Sequence, residues 1–352
     1  MTHFLHRLTL PATLALSVMA PLGACASASP QANTPVEAIT PEAREGRAEW
    51  ALVIHGGAGN IPVAERAPER WALYEADLNR AMDAGTEILR AGGESLEAVE
   101  AAIVILEDSP LFNAGRGAVF TNAETNELDA SVMVGDDRDA GAVAGVTRTK
   151  NPIRLARAVM EESLHVMMAG VGADAFSRER GLEQAEPDYF RTERRLQSLR
   201  RAQGRAEADL PAPYNAKFGT VGAVALDVSG TLVAGTSTGG MTNKRWGRVG
   251  DVPVIGAGTY ADNASCAVSA TGHGEYFIRI GVARTVCARM EMLGEDLQTA
   301  ADAVIFGELE ALGGDGGIVA LDAQGEIVWS HNSPTMYRGS ESSVRGREVG
   351  IE

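Results

Sequence analysis

A threonine hydroxyl attacks a carbonyl only when a base takes its proton, and one threonine in this chain is placed to supply that base itself. Thr220 opens the apolar run Val221-Gly222-Ala223-Val224-Ala225-Leu226, directly after Lys217-Phe218-Gly219 and a long charged segment. If the Gly219-Thr220 bond breaks, Thr220 becomes a new terminus whose α-amine, with an ordinary pKa of about 7.7 to 8.0, can serve as the base. Gly219 tolerates strained dihedrals and lets the hydroxyl approach the preceding carbonyl. Taken alone, a Gly-Thr pair is also an ordinary strand start, so its surroundings must decide.

Three further groupings carry chemistry. Thr236-Ser237-Thr238-Gly239-Gly240-Met241-Thr242-Asn243 follows the partner strand of a hairpin and can return beside Thr220. Arg248-Val249-Gly250-Asp251 sets a cation and an anion three apart around a glycine. Such a pair suits an amino-acid zwitterion: the guanidinium takes the α-carboxylate and the carboxylate takes the α-ammonium. A surface salt bridge is the plainer reading of the same spacing. Ser269-Ala270-Thr271-Gly272-His273-Gly274-Glu275 leads from a strand into a helix, where a hydroxyl and backbone N–H groups can form an oxyanion hole. His273 is read there as a substrate-edge or turn residue.

The elements around these groups follow from hydrophobic period and punctuation. Ala51-Leu52-Val53-Ile54 is a buried strand entering the glycine loop His55-Gly56-Gly57-Ala58-Gly59. Helices are expected over 70–91, from a Ser95 cap onward, from Pro152 to about Gly170, and over 275–292 and 295–311. Strands are expected over 127–135 and 139–146. Val221 to Asp227, turning at Ser229-Gly230, and Gly317 to Asp322, turning at Gln324-Gly325, are hairpin strands apolar on both faces. They imply packed sheets covered by helices. Residues 176–217, rich in arginine and glutamate and closing with Pro211 and Pro213, read as a solvated, mobile connector rather than the basic partner-binding helix that their arginines also suit.

Composition narrows the class. A formal charge of −16 argues against a phosphate-binding surface and for a small-molecule or dipeptide substrate. Cys25, Cys266 and Cys287 show neither zinc-ligand spacing nor a disulfide framework. Residues 1–24 read as an export signal to the periplasm; Leu22-Gly23-Ala24-Cys25 resembles a bacterial lipobox, which implies a lipid anchor at Cys25, while small residues also permit ordinary cleavage at Ala26 or Ala28. Residues 25–47 are a tether, 48–340 the folded domain and 341–352 a C-terminal tail.

The ordered set His55 to Gly59, Leu111-Phe112-Asn113-Ala114-Gly115, Glu127-Leu128-Asp129-Ala130-Ser131, Gly219 to Gly222, Thr236 to Asn243, Gly247 to Asp251 and Thr271 to Glu275 resembles the plant-type asparaginases, also called isoaspartyl peptidases. These are N-terminal-nucleophile hydrolases. The resemblance implies an α+β fold, a four-layer αββα sandwich, cut into an α chain ending at Gly219 and a β chain from Thr220 to Glu352. It further implies an (αβ)2 homodimer and no catalytic cofactor. By the same resemblance Thr220 is the nucleophile and Thr238 and Asn113 support it. Arg248, Val249, Gly250, Asp251, Thr271, Gly272, His273 and Gly274 line the substrate site, with Thr271 and Gly272 as the oxyanion hole. A structural sodium is implied on backbone carbonyls of Leu106, Glu107, Ser109, Phe112, Ala114 and Arg116, although Arg116 stands where an apolar residue is more usual. Related glycosylasparaginases carry Asp before the threonine, whereas Gly219 stands here, which favours action on β-aspartyl dipeptides and L-asparagine.

Two other readings use the same residues. Gly235-Thr236-Ser237-Thr238-Gly239 fits GxSxG and would make Ser237 the nucleophile of an α/β-hydrolase esterase, but that elbow must enter a helix, while Gly240 to Arg245 reads as loop. A non-catalytic lipoprotein that binds amino acids or peptides explains the Arg/Asp pair but not a threonine leading a core strand.

Overall fold

Strand β1 (Ala51–Gly59) is buried along almost its whole length, with Leu52 and Ile54 in one apolar cluster and Ala51 and Val53 in another. That split is the period-two signature of a strand packed on both faces. A computed structural model describes residues 47–59, 67–206 and 219–351. The export signal, Cys25, nearly all of the tether, and Pro211, Pro213, Lys217 and Phe218 of the connector lie outside the described residues.

After β1 come α1 (Pro68–Arg90), α2 (Ser95–Asp108), β2 (Leu128–Val134), β3 (Ala140–Val146), α3 (Pro152–Glu162), β4 (Met167–Ala169), α4 (Gly170–Glu179), α5 (Pro187–Phe190) and α6 (Glu193–Ala206). The second half holds β5 (Val221–Leu226), β6 (Leu232–Thr238), β7 (Thr259–Ala261), β8 (Cys266–Gly272), α7 (Gly274–Ile280), α8 (Val282–Leu293), α9 (Leu297–Asp302), β9 (Gly316–Asp322), β10 (Ile327–His331), β11 (Thr335–Ser342) and β12 (Glu348–Gly350). Among the described residues, eight strands form one sheet in the order β12-β11-β1-β5-β6-β2-β3-β4, and four form another, β10-β9-β8-β7. Helices α1, α2 and α3 cover the outer face of the large sheet, α8 and α9 cover the small one, and the sheets pack face to face. This is the expected four-layer αββα sandwich. Strand β5 sits at its centre, sending Val221, Ala223 and Ala225 under α2 and Val224 and Leu226 between the sheets. Strands from before and after Gly219 alternate across the large sheet, since β1 lies between β11 and β5.

Several expectations need correction. The connector carries helices α5 and α6, and it packs: Leu196 and Leu199 of α6 bury against Phe120, each contributing roughly 1.5–3 kcal/mol. Its arginines are structural as well as solvating, because Arg194 and Arg195 donate to the carbonyls of Leu111 and Gly117. The helix begun at Pro152 stops at Glu162, and Met167–Ala169 pairs in parallel with β3 instead of extending it. Ser95 does not cap α2; its N–H is taken by the Asp227 carboxylate at 2.9 Å. The glycine loop after Ile54 continues as strand, with a bulge between His55 and Gly57. Gly281, in the left-handed region at φ 66°, divides α7 from α8. Residues 348–350 form the edge strand β12, so the C-terminal stretch is not a tail. Finally, Cys266 on β8 and Cys287 on α8 form a disulfide with Cα atoms 5.3 Å apart. Their separation of 21 residues has no local signature; helix-on-sheet packing brings them together.

Candidate active site

Thr220 sits one residue ahead of β5, only 6 % exposed, where the ladder to β6 begins with Val221 opposite Ser237. The β5–β6 hairpin returns Thr238 to this end of the sheet, so that Thr220 Oγ1 donates to Thr238 Oγ1 at 3.2 Å. Thr238 also receives Gly240 N–H at 3.0 Å and passes its own proton to the Gly219 carbonyl at 3.1 Å. Asn113 Nδ2 donates to the same carbonyl at 2.7 Å and to Gly240 O at 2.8 Å, while Val119 N–H holds Asn113 Oδ1 at 2.9 Å. The oxygen of the Gly219-Thr220 peptide is thus held by two donors, an arrangement that stabilises negative charge as it develops there. Gly57 leaves room for this peptide: at φ +109° a Cβ would lie 2.9 Å from Gly219 Cα and 3.1 Å from Thr220 N.

A second cluster forms around Gly274, where a Cβ would lie 2.7 Å from Asp251 Oδ1 and 2.8 Å from Arg248 Nη2. The glycine leaves the space that both charged groups face. Arg248 is held by Glu275, Nε to Oε1 at 2.8 Å and Nη2 to Oε2 at 2.9 Å, which leaves the edge formed by Nη1 and Nη2 for another carboxylate. Glu275 belongs to a quoted motif, yet its grip on Arg248 was not foreseen; the only signal was a carboxylate near a cation 27 residues away. Asp251 is 5 % exposed, its Oδ2 has no hydrogen-bond partner, and burial pushes its pKa up to about 7 despite the nearby Arg248. A buried orphan oxygen of this kind is a place for a bound cation.

The third group lies on β8. Thr271, fully buried, receives Ala58 N–H at 3.2 Å and keeps its own proton available, and Gly272 follows at φ +157°. His273 turns aside, with Nε2 3.4 Å from Glu275 Oε2 and its ring edge-on to Tyr276, and Val249 is 38 % exposed. Ser237 points to the opposite face of β6 and donates to the buried Glu107 at 2.6 Å, on a strand and away from any helix elbow, so nothing supports the esterase. Lys244, with its side chain 1 % exposed between Glu127 and Asp129, pins the loop that follows Thr238.

The loop after α2 bears on the implied sodium. A Cβ at Gly115 would lie 2.4 Å from Glu107 O, and one at Gly117 would lie 2.0 Å from Phe112 O and 2.9 Å from Ser109 O. Glu107 O thus faces Gly115, and Phe112 O and Ser109 O face Gly117; carbonyl oxygens are the kind of donor a hard cation takes. The Arg116 side chain lies over the Tyr189 ring, 5.6 Å from its centroid. Among the described residues no cluster of three or more His, Cys, Asp or Glu could hold a metal.

The asparaginase family profile matches residues 48–351. The chain is 48% identical over 292 residues to an isoaspartyl peptidase of Escherichia coli, covering 82% of this chain and 91% of that protein. It is 42% identical over 328 residues to a probable isoaspartyl peptidase/L-asparaginase of Arabidopsis thaliana, covering 86% and 98%. An isoaspartyl peptidase/L-asparaginase of Rattus norvegicus is 41% identical over 289 residues, covering 81% and 84%.

Proposed function

The chain belongs to the asparaginase family of N-terminal-nucleophile hydrolases, and from that premise we propose that it cuts its own Gly219-Thr220 bond and then releases L-aspartate from β-aspartyl dipeptides and L-asparagine. The observation that carries this reading is the setting of Thr220, whose hydroxyl rests on Thr238 while the carbonyl before it is held by Asn113 and Thr238. In the intact chain, Thr220 Oγ attacks the Gly219 carbonyl carbon and the peptide nitrogen leaves as the new amine; water then frees the Gly219 carboxylate from the resulting ester.

In the mature enzyme, the Thr220 amine takes the hydroxyl proton as Oγ attacks the side-chain carbonyl of the aspartyl unit. The oxyanion is met by Thr271 and Gly272. The amine returns its proton to the departing ammonia or amino acid, and water, activated by the same amine, hydrolyses the aspartyl ester. Arg248 takes the α-carboxylate and Asp251 Oδ2 the α-ammonium, so peptides joined through the α-carboxyl are refused. No cofactor takes part. The carbonyls of Leu106, Glu107, Ser109, Phe112, Ala114 and Arg116 would hold a sodium ion that stiffens the loop carrying Asn113.

Two finer readings concern assembly and location. The open edge at β4 exposes Leu164, Val166, Met167 and Val171, which supports an (αβ)2 dimer. A disulfide persists in oxidising compartments, which supports export, and pairing Cys266 with Cys287 leaves Cys25 as the remaining cysteine for a lipid.

One preparation tests these points together. A denaturing gel should show two chains, sequencing should read Thr220-Val221-Gly222 at the start of one, and mass spectrometry should find an acylated Cys25 at the start of the other. The native mass should be that of two αβ pairs, and aspartate should appear from a β-aspartyl dipeptide or asparagine. A chain that stays whole while fully active would sink the mechanism.

The pH profile is a second check. Asp251 must be ionised to bind an ammonium group, and burial raises its pKa to about 7 in the free enzyme. Protonation as pH falls below 7 therefore removes the binding form, so kcat/KM should fall about tenfold per unit more steeply than kcat, which at saturation follows the Thr220 amine alone. A kcat/KM limb that coincides with the kcat limb would remove Asp251 from this role.

A further inference from the structure

Polar side chains in the middle of the sandwich form one row that ends at Thr220. His55 on β1 lies with Nδ1 3.1 Å from Thr220 O and Nε2 3.0 Å from Ser269 Oγ on β8. Ser269 Oγ is 2.7 Å from Thr236 Oγ1 on β6, which is 2.6 Å from Thr259 Oγ1 on β7, which is 2.7 Å from Ser131 Oγ on β2. All five side chains are fully buried, and the row crosses from one sheet to the other through apolar packing. Polar groups are costly in such a place unless each is satisfied, which makes the row a specific device.

Counting protons gives the row a direction. A carbonyl only accepts, so His55 Nδ1 carries the proton that points at Thr220 O. Burial holds the His55 pKa down at about 3, against a smaller upward pull from that carbonyl, so the ring is neutral and Nε2 accepts. Ser269 has one proton and gives it to Nε2. Thr236 then donates to Ser269 and Thr259 to Thr236, while Ser131 shares its one proton between Thr259 Oγ1 at 2.7 Å and the Val252 carbonyl at 2.5 Å. The carbonyls of Gly235 and Gly258 also accept from Ser269 and Thr236, at 3.0 and 3.2 Å, and Ser269 is the hydroxyl within reach of Nε2. Gly222 lets the row pass over β5: a Cβ there would lie 2.5 Å from His55 Nε2 and 2.0 Å from Ser269 Oγ.

We infer that His55 is a positioning residue for the nucleophile: its Nδ1–H pins the carbonyl of Thr220, and the hydroxyl row behind it locks the tautomer that does so. The inference rests on Thr220 being the nucleophile. Once the preceding bond is cut, the chain anchors Thr220 only from its C-terminal side, so the fixed carbonyl, together with Thr238 at Oγ1, aims its amine and hydroxyl.

The test uses processed full-length enzyme, with turnover normalised to the amount of Thr220 terminus found by sequencing. His55→Leu removes the donor, and kcat is expected to fall about a hundredfold with KM within about twofold, as for a misplaced reacting group. His55→Asn places an amide N–H at the position of Nδ1 and should keep kcat within about tenfold of wild type. Ser269→Ala removes the donor that sets the tautomer and should cost about tenfold in kcat alone. Wild-type kcat in the Leu variant, equal losses in the Leu and Asn variants, or a loss carried by KM would overturn the inference. Should the Leu variant fail to mature, an unchanged kcat in Ser269→Ala overturns it as well. A wild-type chain that never exposes Thr220 is a different failure, that of the functional reading itself.

Discussion

A Thr220→Ala chain is expected to run as one band on a denaturing gel and to turn over substrate at least about 10⁴-fold more slowly than the wild type. The loss is double, because the same Oγ first opens the peptide bond and later forms the acyl-enzyme. Without the first step no free amine arises, so the base is lost along with the nucleophile. Asn113 and Thr238 would still hold the Gly219 carbonyl, so the variant isolates chemistry from folding. Thr220→Ser retains the hydroxyl and should still split, more slowly, since it lacks the methyl that restricts χ1. Cleavage or turnover in the alanine variant would exclude Thr220.

The second large effect is expected at Arg248. Replacing it with leucine should lower kcat/KM about a thousandfold, as for truncating one partner of a buried charge pair worth about 2–5 kcal/mol, while processing continues. Lysine should rescue little. Glu275 occupies one side of the guanidinium, and only a planar fork offers a second bidentate edge to the substrate. Asp251→Asn should raise KM and also abolish the part of the acid limb that kcat/KM shows and kcat does not. Processing that stops in the Arg248 variant, or a kcat/KM within tenfold of wild type, would count against a substrate clamp here.

Much of this layout was legible in the residues. The β5–β6 and β9–β10 hairpins declared themselves because each strand is apolar on both faces, and that double burial already implied facing sheets. Thr220 was legible as a strand leader, and Thr238 as its neighbour, because a tight hairpin fixes the register. What stayed hidden depends on distant partners. Ser269 is 214 residues from His55, and Glu107 is 130 from Ser237, so nothing local marks either pairing. Strand β4 has the composition of a helix end, and only its parallel seat beside β3 makes it a strand. Helix α6 hid its buried Leu196 and Leu199 among arginines that composition alone assigns to solvent.

The alternation of strands across the large sheet has a consequence for the molecule's later history. With β1 between β11 and β5, and β6 beside β2, the pieces on either side of Gly219 share one continuous hydrogen-bond ladder and cannot peel apart along an edge. Before the cut, refolding is a first-order search by one chain. Afterwards it requires two chains to meet, so it becomes concentration-dependent, and a thermally unfolded mature enzyme has no unimolecular way back. The proposed maturation would thus trade reversibility for reactivity, since the polymer folds once as a whole before it is cut.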